Sequence, residues 1–161
     1  MISRSSEYAL RTLTFLAQQK EQCFHLARDM AEELGIPAPF LGKVLQPLVT
    51  CGILCSQRGR SGGFKLARPA RDITLREVVE TQESLSVVQR CILGDAACSD
   101  ERPCPFHEYW KATADGLVDL LARTTLRDLA DHRLTHPEST YPFPLSGATS
   151  SVSRARPIAA V

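Results

Sequence analysis

The sequence predicts a mainly α-helical fold with one small β-hairpin, and three observations predict it. Apolar residues recur at helical spacing in three short segments before residue 51. The period then shortens to that of strands around the turn Gly59-Arg60-Ser61-Gly62-Gly63, and a helical stripe resumes for about five turns after Pro105. At 161 residues, 43% hydrophobic and 23% charged, the chain has a globular composition with room for one domain and a small accessory element. That length excludes a barrel enzyme or two dinucleotide-binding halves. No apolar run approaches the ~18 residues that span a bilayer. The opening Met1-Ile-Ser-Arg-Ser-Ser-Glu-Tyr lacks the apolar core of an export signal, so the expectation is a cytoplasmic protein with no membrane partner.

The first helix is expected over about Ser6 to Gln19, with Ala9, Leu13, Leu16 and Ala17 on one face. A second runs from about Leu26 to Leu34 and stops at Gly35. The prolines of Gly35-Ile36-Pro37-Ala38-Pro39 suit a turn and the entry of a third helix, about Ala38 to Thr50. That helix turns Leu41, Val44, Leu45, Leu48 and Val49 inward and Pro39, Gly42, Lys43 and Gln46 outward, with Pro47 expected to kink or loosen its last turn. Two apolar runs, Ile53 to Arg58 and Phe64 to Ala67, flank the Gly-rich turn as a hairpin. Three short helices followed by a basic hairpin is the order of a winged helix-turn-helix.

Thr74 and Glu77 have capping-box spacing and open a further helix. Cys91, Cys98 and Cys104 lie in a polar loop. Cys104 is expected at the N-cap and Pro105 at the first position of a long helix whose stripe is Phe106, Trp110, Thr113, Leu117, Leu120, Leu121 and Thr124. A stripe that long needs a partner, and a second copy of the chain is the simplest one. A last short helix starts at Thr125. The proline- and serine-rich stretch from His136 is expected to remain an unfolded tail. The organisation is therefore a winged-helix DNA-binding domain over 1–83, a ligand loop over 84–104, dimerisation and final helices over 105–135, and a tail over 136–161.

The net charge of +1 hides an uneven distribution: +4 over residues 1–70 and −3 over 71–161. From Leu34 to Arg71 there is no carboxylate, while Lys43, Arg58, Arg60, Lys65, Arg68 and Arg71 supply six cations. Such a stretch suits a polyanion, and in this context double-stranded DNA. In a helix-turn-helix the second helix of the pair meets base edges, so Lys43 and Gln46, with Pro39 a turn ahead, are candidate contacts; Arg58 and Arg60 flank a wing that can reach the minor groove. The glycine turn is no phosphate-binding loop, because the Gly-Lys-Ser/Thr ending and the strand-then-helix context are missing.

Six residues separate Cys91 from Cys98, five separate Cys98 from Cys104, and two separate Cys104 from His107. Three thiols and an imidazole this close can meet one metal, and soft sulfur donors select zinc, copper(I) or an iron–sulfur cluster. Spacing alone leaves cluster and closed zinc site level. A catalytic pair of Cys104 and His107 is the weaker reading, since no oxyanion hole or orienting third group accompanies it. Cys23, Cys51 and Cys55, beside Phe24, Val49 and Leu54, are expected to be plain buried residues, and His25, His132 and His136 surface residues.

Tyr8-Ala9-Leu10, Phe40-Leu41-Gly-Lys-Val-Leu45, Arg58-Gly-Arg-Ser-Gly-Gly-Phe64, Ile73-Thr-Leu-Arg-Glu-Val-Val79 and the Cys91, Cys98, Cys104, His107 set together resemble the Rrf-two family of bacterial regulators, with its IscR-, NsrR- and RirA-like branches. The resemblance covers about residues 1–135. It implies a homodimeric transcription regulator, not an enzyme, that reads a roughly palindromic operator and whose DNA affinity follows a bound iron–sulfur cluster. By the same resemblance Cys91, Cys98 and Cys104 are ligands. His107 completes a 2Fe-2S site, and Glu7, given across the dimer, is the alternative fourth ligand of a 4Fe-4S site. Phe40, Lys43 and Arg58 fall on the family's DNA-contacting positions, and with Pro39, Gln46, Arg60 and Ser61 they make up the expected DNA-reading set. The first cysteine spacer is one residue longer than in IscR-like members, and Gly42 and Lys43 replace a glutamate and a glutamine, so operator sequence is not carried over.

Overall fold

The computed structural model describes residues 2–19, 23–59, 62–88, 90–94 and 98–143. Arg60 and Ser61 at the wing tip, and the tail from 144 to 161, lie outside the described residues. Helix α1 (Arg4–Gln18) is capped by the Ser3 hydroxyl, which accepts from the Ser6 amide. Helix α2 (Ala27–Leu34) stops at Gly35, whose φ of 61° is the left-handed conformation that glycine adopts without penalty. Helix α3 (Ala38–Thr50) has the expected bounds, and it continues through Pro47 rather than ending there. The carbonyl that Pro47 cannot satisfy belongs to exposed Lys43, where water can reach it.

Strands β1 (Leu54–Gln57) and β2 (Gly63–Leu66) form the antiparallel wing, with Leu54 opposite Leu66 and Gln57 opposite Gly63. The wing is also anchored to the chain ahead of α2: Phe64 and His25 exchange two backbone hydrogen bonds, of 2.8 and 2.9 Å. That approach requires glycine at 63, because a Cβ there would lie 2.2 Å from the His25 carbonyl oxygen and φ is 131°.

A short 3-10 turn leads to α4 (Leu75–Gln82), whose capping box is formed: Thr74 Oγ1 accepts from the Glu77 amide and Glu77 accepts from the Thr74 amide. The long helix α5 (His107–Arg123) packs on α4, and α6 (Leu126–Thr135) returns against α1. A bridge between Thr74 and Thr125 joins the head to this second half through the Leu75 amide on Thr124 and the Leu126 amide on Ile73. One core runs through all of it, from Leu13 and Leu45 to Val78, Leu121 and Leu126.

Four expectations change. Helix α5 starts at His107, two residues later than predicted. The His107 amide donates to the Cys104 carbonyl at 2.9 Å, so Pro105 sits inside a tight turn rather than at the first helical position, and Cys104 is not the N-cap. The predicted stripe of α5 is split: Leu121 is buried, together with His107 and Ala114, and Trp110, Leu117 and Thr124 are half-buried, whereas Phe106, Thr113 and Leu120 are exposed. Cys23 and Cys51 are exposed and Cys55 half-buried, because Cys51 falls at the end of α3 and Cys23 in the connection before α2. Finally, residues 141–143 fold back on α1. Phe143 meets Phe15 edge-on at 6.4 Å, and Arg11 Nε donates to the Pro142 carbonyl at 2.7 Å.

Two carboxylates hold helix ends. Partial burial alone would raise the Glu77 carboxyl; the Thr74 amide and the Arg68 guanidinium outweigh it and hold the group below its ordinary value. Glu83 is likewise held low against its burial by the Ser6 hydroxyl and the Ser3 amide, tying α4 to the start of α1. A depressed folded-state value means that their stabilisation is complete above the unfolded carboxyl pKa of about 4.3 and is lost as pH falls below it. Acid unfolding followed by circular dichroism should therefore shift to lower sensitivity in Glu77→Gln and Glu83→Gln, with the variants less stable than the parent at neutral pH. Gly63→Ala should lower stability in denaturant by about 1–3 kcal/mol, and an unchanged midpoint would contradict the close packing of wing and His25.

Candidate DNA-reading and metal-binding sites

The exposed edge of the head is built by α3 and the wing. Lys43 and Gln46 lie on the outward face of α3, because the 3.6-residue period that buries Leu41, Val44, Leu45 and Leu48 leaves them opposite. Pro39 is exposed at the helix start. Phe40 is 40% exposed and packs edge-on against Tyr8 of α1 at 5.6 Å, so this aromatic is shared between the core and the outer face. Arg58 follows β1 in the open, and neither it nor Lys43 forms a salt bridge with a described residue.

The other cations of the carboxylate-free stretch divide differently. Arg68 is spent on the fold, donating to Glu77 at 2.7 Å and to the Asp72 carbonyl at 2.6 Å. Lys65 sits 4.9 Å above the Phe24 ring, and Arg71 lies 3.8 Å from Asp72. Sequence alone cannot separate these roles, since Glu77 lies beyond the stretch.

In the second half, the structure brings the Cys91 and Cys104 sulfurs to 3.5 Å. That is well beyond a disulfide, and close to the separation of about 3.8 Å that two sulfurs 2.3 Å from one tetrahedral metal would have. The Leu93 amide and then the Cys104 thiol pull the Cys91 thiol below its usual value, while desolvation, reinforced by the charges of Cys91 and Cys104, pushes Cys98 up. The three thiols therefore interact, and mutual repulsion of their ionised forms is what a shared cation would relieve. Among the described residues, however, no three Cys, His, Asp or Glu side chains are arranged as a closed metal site.

His107, only 3% exposed, is not turned to a sulfur; its Nε2 lies 2.7 Å from Asp100 Oδ1. Lys111 Nζ donates to both oxygens of the same carboxylate at 2.8 Å, and it is Lys111 first, then His107, that hold the Asp100 carboxyl below its usual value. Asp100 and Lys111 were not singled out by sequence reasoning. The one available signal was the spacing of His107 and Lys111, one turn apart on a helix. Glu7, on exposed α1 surface, pairs with Arg11 at 3.6 Å and meets none of the three cysteines. Trp110 Nε1 donates to the Arg90 carbonyl at 2.5 Å, holding α5 to the chain just before Cys91.

Three helices, a hairpin wing and an outward basic face define a winged-helix DNA-binding regulator. The family described as Rrf2, iron-dependent transcriptional regulator, matches residues 2–132, and the chain belongs to that family. An NsrR transcriptional regulator of Geobacillus kaustophilus is 30% identical over 133 residues, covering 82% of this chain and 90% of that one. The IscR regulator of Cronobacter sakazakii is 26% identical over 132 residues, covering 82% and 81%. Among solved structures, CymR, the global cysteine regulator of B. subtilis, superposes with a TM-score of 0.69 at 26% identity, covering 82% of this chain and 97% of that one. These relatives are transcriptional regulators rather than enzymes, so the Cys104–His107 catalytic reading is dropped. No helix among the described residues is long and apolar enough to cross a membrane.

The divided roles of the arginines are open to a direct check. Arg68→Ala should cost about 1 kcal/mol in a denaturant melt. Arg58→Ala should leave the melt unchanged, and equal losses from the two would overturn the division.

Proposed function

We propose that this chain is a cytoplasmic homodimeric regulator whose affinity for a roughly palindromic operator in double-stranded DNA is set by an iron–sulfur cluster. The observation that carries this reading is the pair of sulfurs of Cys91 and Cys104, 3.5 Å apart with Cys98 interacting electrostatically, in the loop that leads directly into α5. Cys91, Cys98 and Cys104 would hold the cluster with His107 as fourth ligand, which favours 2Fe-2S; Glu7 from the partner is the alternative for 4Fe-4S. When bound, such a cluster supplies a centre sensitive to electrons, oxygen or nitric oxide. The chain's own part is to hold or release the loop. Trp110 and Lys111 tie the flanks of that loop to α5, α5 packs on α4, and α4 lies against α1 and α3 in the DNA-reading head.

Lys43 and Gln46, with Pro39 and Phe40 at the helix start, would meet the major groove. Arg58, Arg60 and Ser61 would meet the adjacent backbone or minor groove. The dimer is supported by a concentration of exposed large apolar side chains: among the described residues, five of the nine, Ile92, Leu93, Phe106, Tyr109 and Leu120, lie in the cysteine loop or on α5. A tenfold to hundredfold change in operator affinity requires only about 1.4 to 3 kcal/mol of coupling between the sites.

Anaerobic purification followed by visible spectroscopy and by iron, sulfide and zinc analysis tests the cofactor. A coloured protein with matching iron and sulfide is expected, with loss of colour in Cys91→Ala, Cys98→Ala or Cys104→Ala; a colourless protein with one zinc per chain supports a zinc-bound regulator instead. For DNA, Arg58→Ala should weaken operator binding and reduce the slope of log affinity against log salt by about 1. Unchanged binding at every salt concentration would remove the wing from the interface.

A further inference from the structure

The chain beyond α6 returns to the DNA-reading head and meets it at two junctions. Arg11, Thr14 and Phe15 lie within about one turn of α1, on one face, and the segment 141–143 lies against them. Arg11 makes the first attachment. Its side chain is 12% exposed, and all three guanidinium nitrogens are engaged: Nε donates to the carbonyl of buried Pro142 at 2.7 Å, a second nitrogen donates to the Leu34 carbonyl, and the third lies 3.6 Å from Glu7 Oε1. Leu34 is the last residue of α2, so Arg11 supplies a donor to a carbonyl that has no partner within its own helix. The second attachment is aromatic. Phe143 meets the Phe15 ring edge-on at 6.4 Å, and Phe15 meets the His25 ring edge-on at 5.6 Å. His25 is the residue whose backbone exchanges two hydrogen bonds with Phe64 of the wing. Between the two attachments the Tyr141 hydroxyl lies 3.4 Å from Thr14 Oγ1, whose own proton goes to the Leu10 carbonyl, so the phenol is the donor.

These junctions are the ones that aim the reading elements. The Leu34 carbonyl stands at the turn from α2 into α3, which sets where Phe40, Lys43 and Gln46 point. Phe64 lies opposite Ser56 in the hairpin, two residues before Arg58. We infer that residues 141–143 are a positioning element of the DNA-reading head: through Arg11 they set α2 and its turn into α3, and through Phe15 and His25 they set the wing. The attachments are on α1 rather than among the outward side chains of α3, so the segment acts on aim and not on charge. The inference rests on the DNA-reading surface proposed above and is independent of the cluster.

Aim and charge separate in a binding experiment, because non-specific affinity follows phosphate neutralisation whereas discrimination follows the placement of base contacts. The full chain is tested against two probes: a duplex that the parent selects from a random-sequence pool, and a scrambled duplex of the same length and composition. Phe143→Ala should bind the selected duplex about tenfold more weakly, the equivalent of one well-made base contact, and the scrambled duplex as the parent does. Phe143→Tyr, which keeps the ring, should recover most of the loss. Arg11→Lys keeps the charge but not the planar fork, and should lose discrimination nearly as far as Arg11→Ala does. Amide hydrogen exchange reads the same coupling without DNA: in Phe143→Ala the His25 and Phe64 amides should exchange about tenfold faster, with those of α5 unchanged. Equal losses on both duplexes, or undiminished discrimination in Phe143→Ala and Arg11→Ala, overturn the inference. A parent that selects no duplex removes the reading surface proposed above, and unchanged exchange at His25 and Phe64 overturns the hold of the segment on the wing whatever the DNA result.

Discussion

Helix α1 is buried on almost its whole circumference, and the rest of the molecule is arranged to satisfy that burial. Ser6, Ala9, Leu10, Thr12, Leu13, Thr14, Phe15 and Leu16 are all inside, which leaves no single face for solvent along the middle of the helix. Such a helix must be covered from every side, and α2, α3, α4, α6 and the returning segment at Phe143 each take a part. Its buried hydroxyls add no orphaned donors, because Thr12 donates to the Tyr8 carbonyl and Thr14 to the Leu10 carbonyl, both at 2.8 Å. Glu83 closes the arrangement from α4 by accepting from the Ser3 amide and the Ser6 hydroxyl.

This central helix explains why the head and the second half form one cooperative body rather than two domains on a linker. The core is continuous from Leu45 of the reading helix, through Leu13 of α1, to Leu121 and Leu126. The bridge between Thr74 and Thr125 adds main-chain bonds at the same junction. A displacement of α5 therefore has no soft joint in which to dissipate before it meets α4 and the underside of α3. That is the physical requirement for coupling between the cysteine loop and the outer face of α3.

The ligand loop is built on the opposite principle. Its cysteines are only half-buried, and Ile92 and Leu93 are more than half exposed. Among the described residues it is tied to α5 by polar groups: the Trp110 indole on Arg90, the Cys104 turn, and Asp100 on His107 and Lys111. Exposed polar ties of this kind exchange readily with water, so the loop can change state without costing the core its packing.

Periodicity and punctuation determined the helices of the head, the hairpin, the glycine stop at Gly35 and the capping box at Thr74, because each depends on residues within four or five positions of one another. The same local logic placed Lys43, Gln46 and Arg58 on the outside and gathered the three loop cysteines into one segment. Only the tertiary structure decided which long-range partner each polar group would take. Arg68 turns to Glu77, His107 turns to Asp100, and the tail at Tyr141 to Phe143 docks on α1 although its composition suggested no fold. The predicted stripe of α5 is divided for the same reason. Helical spacing defines several apolar faces on that helix, and it was the packing of the folded chain, not the spacing, that took Leu121 and part of Leu117 into the core and left Phe106 and Leu120 outside.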